Sequence, residues 1–274
     1  MSKTTIIQPP KRFISFVSWS ELWAYRDLLM FLTWRDIKAR YAQSVLGIGW
    51  AVIQPLFQML VFTLVLGKMA GIPSDGVPYA IFAFVGLLPW TFFANALTGS
   101  SGSLIANAGM LNKIYFPRLV MPLSATIAKM MDFVIASLIL IFLLIFYQKL
   151  PSIYVLYAPL LMLILFMTAV GIGCFLTALA IQYRDIQYAM GFGVQLAMYA
   201  SPVVYSSTLV PLEWRGLYAM NPMVGVIEGF RSIFLNTIEF PLTWVLQGFV
   251  VSVILFICGI LFFASRERVF ADVA

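Results

Sequence analysis

The stretch RDIKARYAQSVLGIGWAVIQPLFQMLVFTLVLG, residues 35–67, holds four charged residues in its first six positions and none in the remaining twenty-seven. A basic collar set against an uncharged apolar run marks the boundary between water and hydrocarbon. Residues 45–67, read as a helix, are long enough to cross about 30 Å of lipid. The run nevertheless keeps Gln54 and Gln58. Amides are costly against lipid, so that face must meet protein or water.

The rest of the chain repeats the pattern. Further apolar runs cover residues 79–97, 119–147, 154–181, 188–205 and 244–264. With 62% hydrophobic and 10% charged residues over 274 positions, and a mean hydropathy of +0.96, a water-soluble domain is excluded. The expected fold is an all-α integral membrane protein of about six transmembrane helices. Pro and Gly within the runs do not exclude helix, because neighbouring helices satisfy the freed backbone groups.

Lys and Arg in the short loops set the orientation. Seven precede the first span, and the even number of spans puts Lys113, Arg118, Arg184, Arg266 and Arg268 on the same side. The other side receives Lys68, Lys149, Arg215 and Arg231. Both termini are therefore expected in the cytoplasm. The net charge of +6 reads as this bias, and no basic soluble domain is present to bind nucleic acid. No secretory signal is visible at the N-terminus. Cys174 and Cys258 lie in apolar runs without metal spacing.

Three segments are expected: a cytoplasmic tail over residues 1–17, an amphipathic interface helix over 18–42, and a single six-helix domain over 43–274. Ser18 and Glu21 have the spacing of a capping box. Leu22, Tyr25, Leu29 and Leu32 share one face of that helix, while Trp19, Trp23 and Trp34 suit the headgroup level. A soluble helix packed on a partner is the other reading. Between the fifth and sixth spans, residues 206–240 read as two short helices re-entering the outer leaflet, with an Asn221-Pro222 turn and a Glu228/Arg231 pair on one face. A surface hairpin is the alternative.

The chemistry on offer is narrow. Histidine is absent, no Ser, Cys or carboxylate constellation stands in for it, and no metal cluster is expected. The sequence lacks G-x-x-x-x-G-K-[ST], so ATP would have to be bound by another subunit. Lys129 and Asp132 are the ionised residues inside the spans, and their i, i+3 spacing suggests a mutually neutral clasp or, alternatively, a proton relay. In the fifth span Tyr188, Phe192, Gln195 and Tyr199 fall on one stripe, with Ala189, Gly193 and Ala197 opposite as a small-residue packing face. Trp50, Gln54, Phe57 and Gln58 cluster similarly in the first span. Rings alternating with neutral amides suit a sugar chain, and they equally suit packing between helices.

The order and spacing of several motifs carry a resemblance. Residues 35–41 followed by Ser44-Val45-Leu46-Gly47 and Trp50, then Leu88-Pro89-Trp90 with Phe92-Phe93, Tyr183-Arg184-Asp185-Ile186, Ser201-Pro202-Val203-Val204-Tyr205 and Asn221-Pro222, together resemble the permease subunits of polysaccharide-exporting ABC transporters. These type 2 export permeases handle O-antigen, capsule and teichoic acid. The resemblance implies a homodimer in the bacterial cytoplasmic (inner) membrane, bound by two nucleotide-binding subunits that carry ATP and Mg. The substrate implied is an undecaprenyl-diphosphate-linked polysaccharide. It makes Arg35, Arg40 and Tyr41 the substrate entrance and the first and fifth spans the channel lining. Leu104, Ile105, Leu111, Arg184 and Asp185 would then contact the ATPase, with a helix over residues 104–111 standing out from the bundle. An ABC permease for another lipid or drug, or an ion-coupled carrier using Asp132, remain as alternatives.

Overall fold

The computed structural model describes residues 19–42, 45–111, 115–183 and 185–267. The expected tail, Ser18, Lys113 and Arg184 lie outside the described residues, as does the side chain of Leu111. Among the described residues every regular element is helical. In chain order these are α1 (Trp19–Ala24), α2 (Arg26–Tyr41), α3 (Gly49–Phe62, continued as a π-helix over Thr63–Met69), α4 (Tyr79–Ala106), α5 (Ala108–Leu111), α6 (Val120–Phe146), α7 (Ala158–Ala180), α8 (Asp185–Tyr199), α9 (Leu212–Tyr218), α10 (Pro222–Leu235) and α11 (Leu242–Arg266).

Among the described residues five helices are long and apolar enough to span a membrane: Gly49–Met69, α4, α6, Ile153–Ala180 and α11. The remaining expected span is shorter. α8 has 15 residues, about 22 Å at 1.5 Å per residue. Pro202 explains the stop, since the residue before a proline is pushed out of the helical region. The chain then passes through a turn in which Ser201, Val203 and Val204 are buried.

α4, α7, α10 and α11 form the packed block. α7 and α11 cross where a Cβ on Gly259 would lie 1.9 Å from the Gly171 carbonyl oxygen. Only glycine permits that approach. One end of the block is closed by residues 201–205 and α10. Asn221 caps α10 by accepting from the Met223 N–H at 3.0 Å, with Pro222 as the first helical residue. α10 is nearly all buried, and Arg231 meets Glu228 at 2.9 Å with side-chain exposures of 0% and 1%. That burial removes the surface-hairpin reading. Arg231 also donates to the Val203 and Tyr205 carbonyls, each at 3.0 Å, and its guanidinium stacks 3.7 Å from the Phe82 ring.

A second buried cluster closes the opposite end, joining Leu32, Leu104, Phe116, Val120, Cys174, Ile260 and Phe263. It gathers the first helices of the chain, the end of α4, the start of α6 and the ends of α7 and α11. α2 enters the fold here.

Candidate functional site

α2 is a continuous helix because its sequence has no Gly or Pro, and it is separated from α1 at Tyr25 by a non-helical step. The stripe Leu22, Tyr25, Leu29 and Leu32 packs on the end cluster, with Leu32 fully buried. The face meeting protein is thus the one that an interface helix would lay on the membrane. Trp23, Met30, Phe31 and Trp34 form the exposed aromatic side instead. From Leu32 onward α2 runs beside α6, and its last turn reaches Asp132, about 18 Å along α6 from its first residue.

There Arg40 donates through Nη1 to Asp132 Oδ2, and the Tyr41 hydroxyl donates to Oδ1. The two carboxylate oxygens thus take one donor each. Burial, and then the carboxylate that accepts its hydrogen bond, push the Tyr41 phenol up to about 12. It remains a donor at physiological pH. The expected Lys129/Asp132 clasp is replaced by this arrangement: among the described residues the ion pair of Asp132 is with Arg40. Spacing within α6 suggested Lys129, but Arg40 and Tyr41 approach from another helix, which no local periodicity reveals.

Two cavities meet at this triad. The outer one, about 650 Å³, is lined by Arg35, Asp36, Arg40 and Tyr41 of α2, by Gly99, Gly102, Ser103 and Asn107 at the end of α4, and by Lys129 of α6. Three cations face one carboxylate, so the cavity is positive. Arg35 is held by Asp36 at 2.9 Å, and the Ser103 hydroxyl is buried without a hydrogen-bond partner among the described residues. The inner cavity, about 500 Å³, is lined by Trp50, Gln54 and Gln58 of α3, Trp90, Thr91, Phe92 and Asn95 of α4, Asp132 and Phe133 of α6, and again Arg40 and Tyr41. Its wall mixes flat rings with neutral amides. Arg40 and Tyr41 are common to both.

The structure therefore brings Arg35, Arg40 and Tyr41 together and places Trp50, Gln54 and Gln58 next to them. Phe57 is exposed and lies outside the inner cavity wall. Trp90, Thr91 and Asn95 are additional wall residues. Asn95 was findable as an amide within an apolar run, whereas its proximity to α3 was not. α8 stands apart from both cavities. Its packed side is Ile186, Met190, Val194 and Ala197, while Tyr188, Phe192, Gln195 and Tyr199 are exposed. Ala189 and Gly193 are exposed too, and nothing lies within 4 Å of a Cβ built on Gly193. Of the small-residue face expected to pack, Ala189 and Gly193 are open while Ala197 lies on the packed side beside Ile186, Met190 and Val194.

The segment between α4 and α6 also differs from expectation. Residues 104–106 are the last turn of α4, Asn107 interrupts the helix, and α5 is one further turn. Leu104 is wholly buried in the end cluster and Ile105 is exposed. Asp185 opens α8 and is exposed.

Residues 27–235 match the family described as ABC-2 type transporter. The chain is 31% identical over 255 residues to the O-antigen export system permease protein RfbA of Myxococcus xanthus, covering 92% of this chain and 97% of that one. It is 30% identical over 249 residues to RfbA of Klebsiella pneumoniae, covering 90% and 95%. Identity to the polysialic acid transport protein KpsM of Escherichia coli is 22% over 203 residues, 72% and 77% of the two chains. The chain belongs to the ABC-2 type transporter family.

Proposed function

We propose that this ABC-2 family chain is the transmembrane subunit of an ATP-driven exporter of polysaccharide linked to undecaprenyl diphosphate. It works as a homodimer in the bacterial inner membrane with cytoplasmic termini, and two partner subunits bind ATP and Mg and hydrolyse the nucleotide. The observation that carries the reading is the adjacency of the two cavities. A lipid-linked glycan has an anionic diphosphate next to its first sugar, and the fold sets a cationic cavity next to one of rings and amides. Arginine forks suit phosphate oxygens, and flat rings suit the C–H faces of sugars. The names of the relatives point to the same substrate class.

Other features fit this assembly. No residue of α3 is buried, and the aromatic stripe of α8 is open, so both helices have faces left for a second copy and for the glycan. The exposed Trp23, Met30, Phe31 and Trp34 face lipid. Ile105, α5 and Asp185 lie at the end that would meet the ATPase. The carrier reading is disfavoured by Asp132, whose two oxygens already hold a guanidinium and a phenol. The test is reconstitution of the chain with its ATPase in proteoliposomes loaded with undecaprenyl-diphosphate-linked glycan. Movement of glycan should require ATP hydrolysis, survive collapse of ion gradients, and fall when Trp50 and Gln58 are changed to Ala. Movement that stops on gradient collapse while ATP is present would establish the carrier instead.

A further inference from the structure

Arg40 and Tyr41 belong to the walls of both cavities, whereas Asp132 reaches them from the inner side alone. The guanidinium and phenol best placed to greet an anion in the outer cavity are thus already engaged by the protein's own carboxylate. We propose that Asp132 is an internal stand-in for an anionic ligand. It holds Arg40 and Tyr41 as a latch between the cavities, and an anion of phosphate or diphosphate chemistry in the outer cavity releases the latch by taking Arg40 from it. This rests on the export reading for its purpose, but not for its test.

Three observations carry the exchange. The Arg40–Asp132 pair keeps 34% and 21% of its side-chain surface exposed, so water and a competing anion can reach it. A phosphate group brings more charge and more acceptor oxygens to the same fork than a carboxylate does. The outer cavity is also lined by Lys129, which is in none of the ion pairs among the described residues. An anion seated there gains the Lys129 ammonium in addition to Arg40. α2 is anchored through buried Leu32, about two turns before Arg40, so the exchange needs only the last turn to shift. Release frees the wall that separates the outer cavity from Trp50, Gln54 and Trp90.

Linkage gives the proposal its arithmetic: whatever favours the open latch raises anion affinity by the same factor. The full chain with its ATPase partner, free of nucleotide, is placed in phosphatidylcholine nanodiscs with Cys174 and Cys258 replaced by Ala. The introduced thiol of Ala136→Cys, a buried position on the inner cavity wall, is labelled by a water-soluble reagent. Labelling should be slow in the parent and accelerate when inorganic pyrophosphate is added. With Asp132→Asn added it should be fast from the start, and pyrophosphate should bind at least about 5-fold more tightly. Lys129→Gln should weaken pyrophosphate binding while leaving the resting rate slow.

Acceleration by phosphatidic acid in the disc but not by pyrophosphate also supports the latch, and assigns the anion to a lipid headgroup. No acceleration by either anion, with resting rate and affinity unchanged in Asp132→Asn, overturns it. Should Asp132→Asn not fold, Tyr41→Phe removes one of the two bonds and must raise the resting rate partway; an unchanged rate there is equally fatal. Labelling needs no transport, so loss of export with the labelling response intact overturns the export reading and leaves the latch standing.

Discussion

Two of the arginine–carboxylate pairs in the fold, Arg231/Glu228 and Arg40/Asp132, are built to opposite standards. Arg231 and Glu228 sit on one helix, lose all but about 1% of their surface, and are backed by two carbonyls and a ring. Arg40 and Asp132 join two helices far apart in sequence and stay partly open to two cavities. A charge sealed in a dry block cannot be exchanged, because nothing outside can replace its partner. A charge at a cavity wall can be, because water and ligands reach it. The first pair fixes the closed end of the packed block; the second lies where a ligand has access.

The largest effect that would sharpen the contrast comes from the sealed pair. Arg231→Met leaves the buried Glu228 without its partner, and the Val203 and Tyr205 carbonyls without their donor, at a cost of about 3–5 kcal/mol. The expected outcome is loss of folded protein from detergent extracts, seen by size-exclusion chromatography. Normal yields would show that the pair is no more essential to folding than its exposed counterpart.

The same division runs through two neighbours at the end of α4. Leu104→Ala opens a cavity in the end cluster and should lower stability by about 2–5 kcal/mol. Ile105→Glu changes an exposed side chain and should leave the fold within about 0.5 kcal/mol of the parent while reducing co-purification with the ATPase. Equal thermal stability of the two variants, measured by tryptophan fluorescence, would break the division.

How much of this the sequence disclosed follows the same line. Long apolar runs announced α4, α6, α7 and α11, because hydropathy over about 20 residues is a local property. The Glu228/Arg231 pairing was legible from i, i+3 spacing for the same reason. The partner of Asp132 was not, since α2 meets α6 through an approach that depends on where Leu32 docks. Lys129, closer in sequence, was the local answer. Periodicity correctly put the rings of α8 on one stripe, but could not say which side of the helix the bundle would cover. The side that packs is that of Ile186, Met190 and Val194, set by how α8 lies against α4 and α7.

The exposed pair supplies a smaller effect. Arg40→Gln should change thermal stability by less than about 1 kcal/mol, as for other solvated ion pairs, yet it removes a cation from both cavity walls and should reduce export strongly. Measuring midpoint temperature and ATP-dependent glycan movement on one preparation separates the two. A fall in stability as large as that of Arg231→Met would erase the distinction between sealed and open pairs.

The smallest structural effect is expected on α8, the least covered of the helices that bear a proposed site. Tyr188 keeps 84% of its surface exposed and Tyr199 59%, and the Tyr199 contribution to packing is a backbone one, its carbonyl accepting from the Tyr205 hydroxyl at 3.0 Å. Removing the ring leaves that bond in place. Tyr199→Ala should therefore hold folded yield and midpoint temperature within about 0.5 kcal/mol of the parent. If the ring meets sugar in the assembled exporter, export should slow by about 1 kcal/mol of lost contact, on the scale of aromatic pairs. Tyr199→Phe keeps the flat face and should export normally, because stacking uses the ring and not its hydroxyl. A ring buried between two copies of the chain would behave otherwise, with Tyr199→Ala lowering the dimer fraction at unchanged export per dimer. Dimer content by light scattering, set beside export per dimer, tells which of two surfaces the open stripe serves.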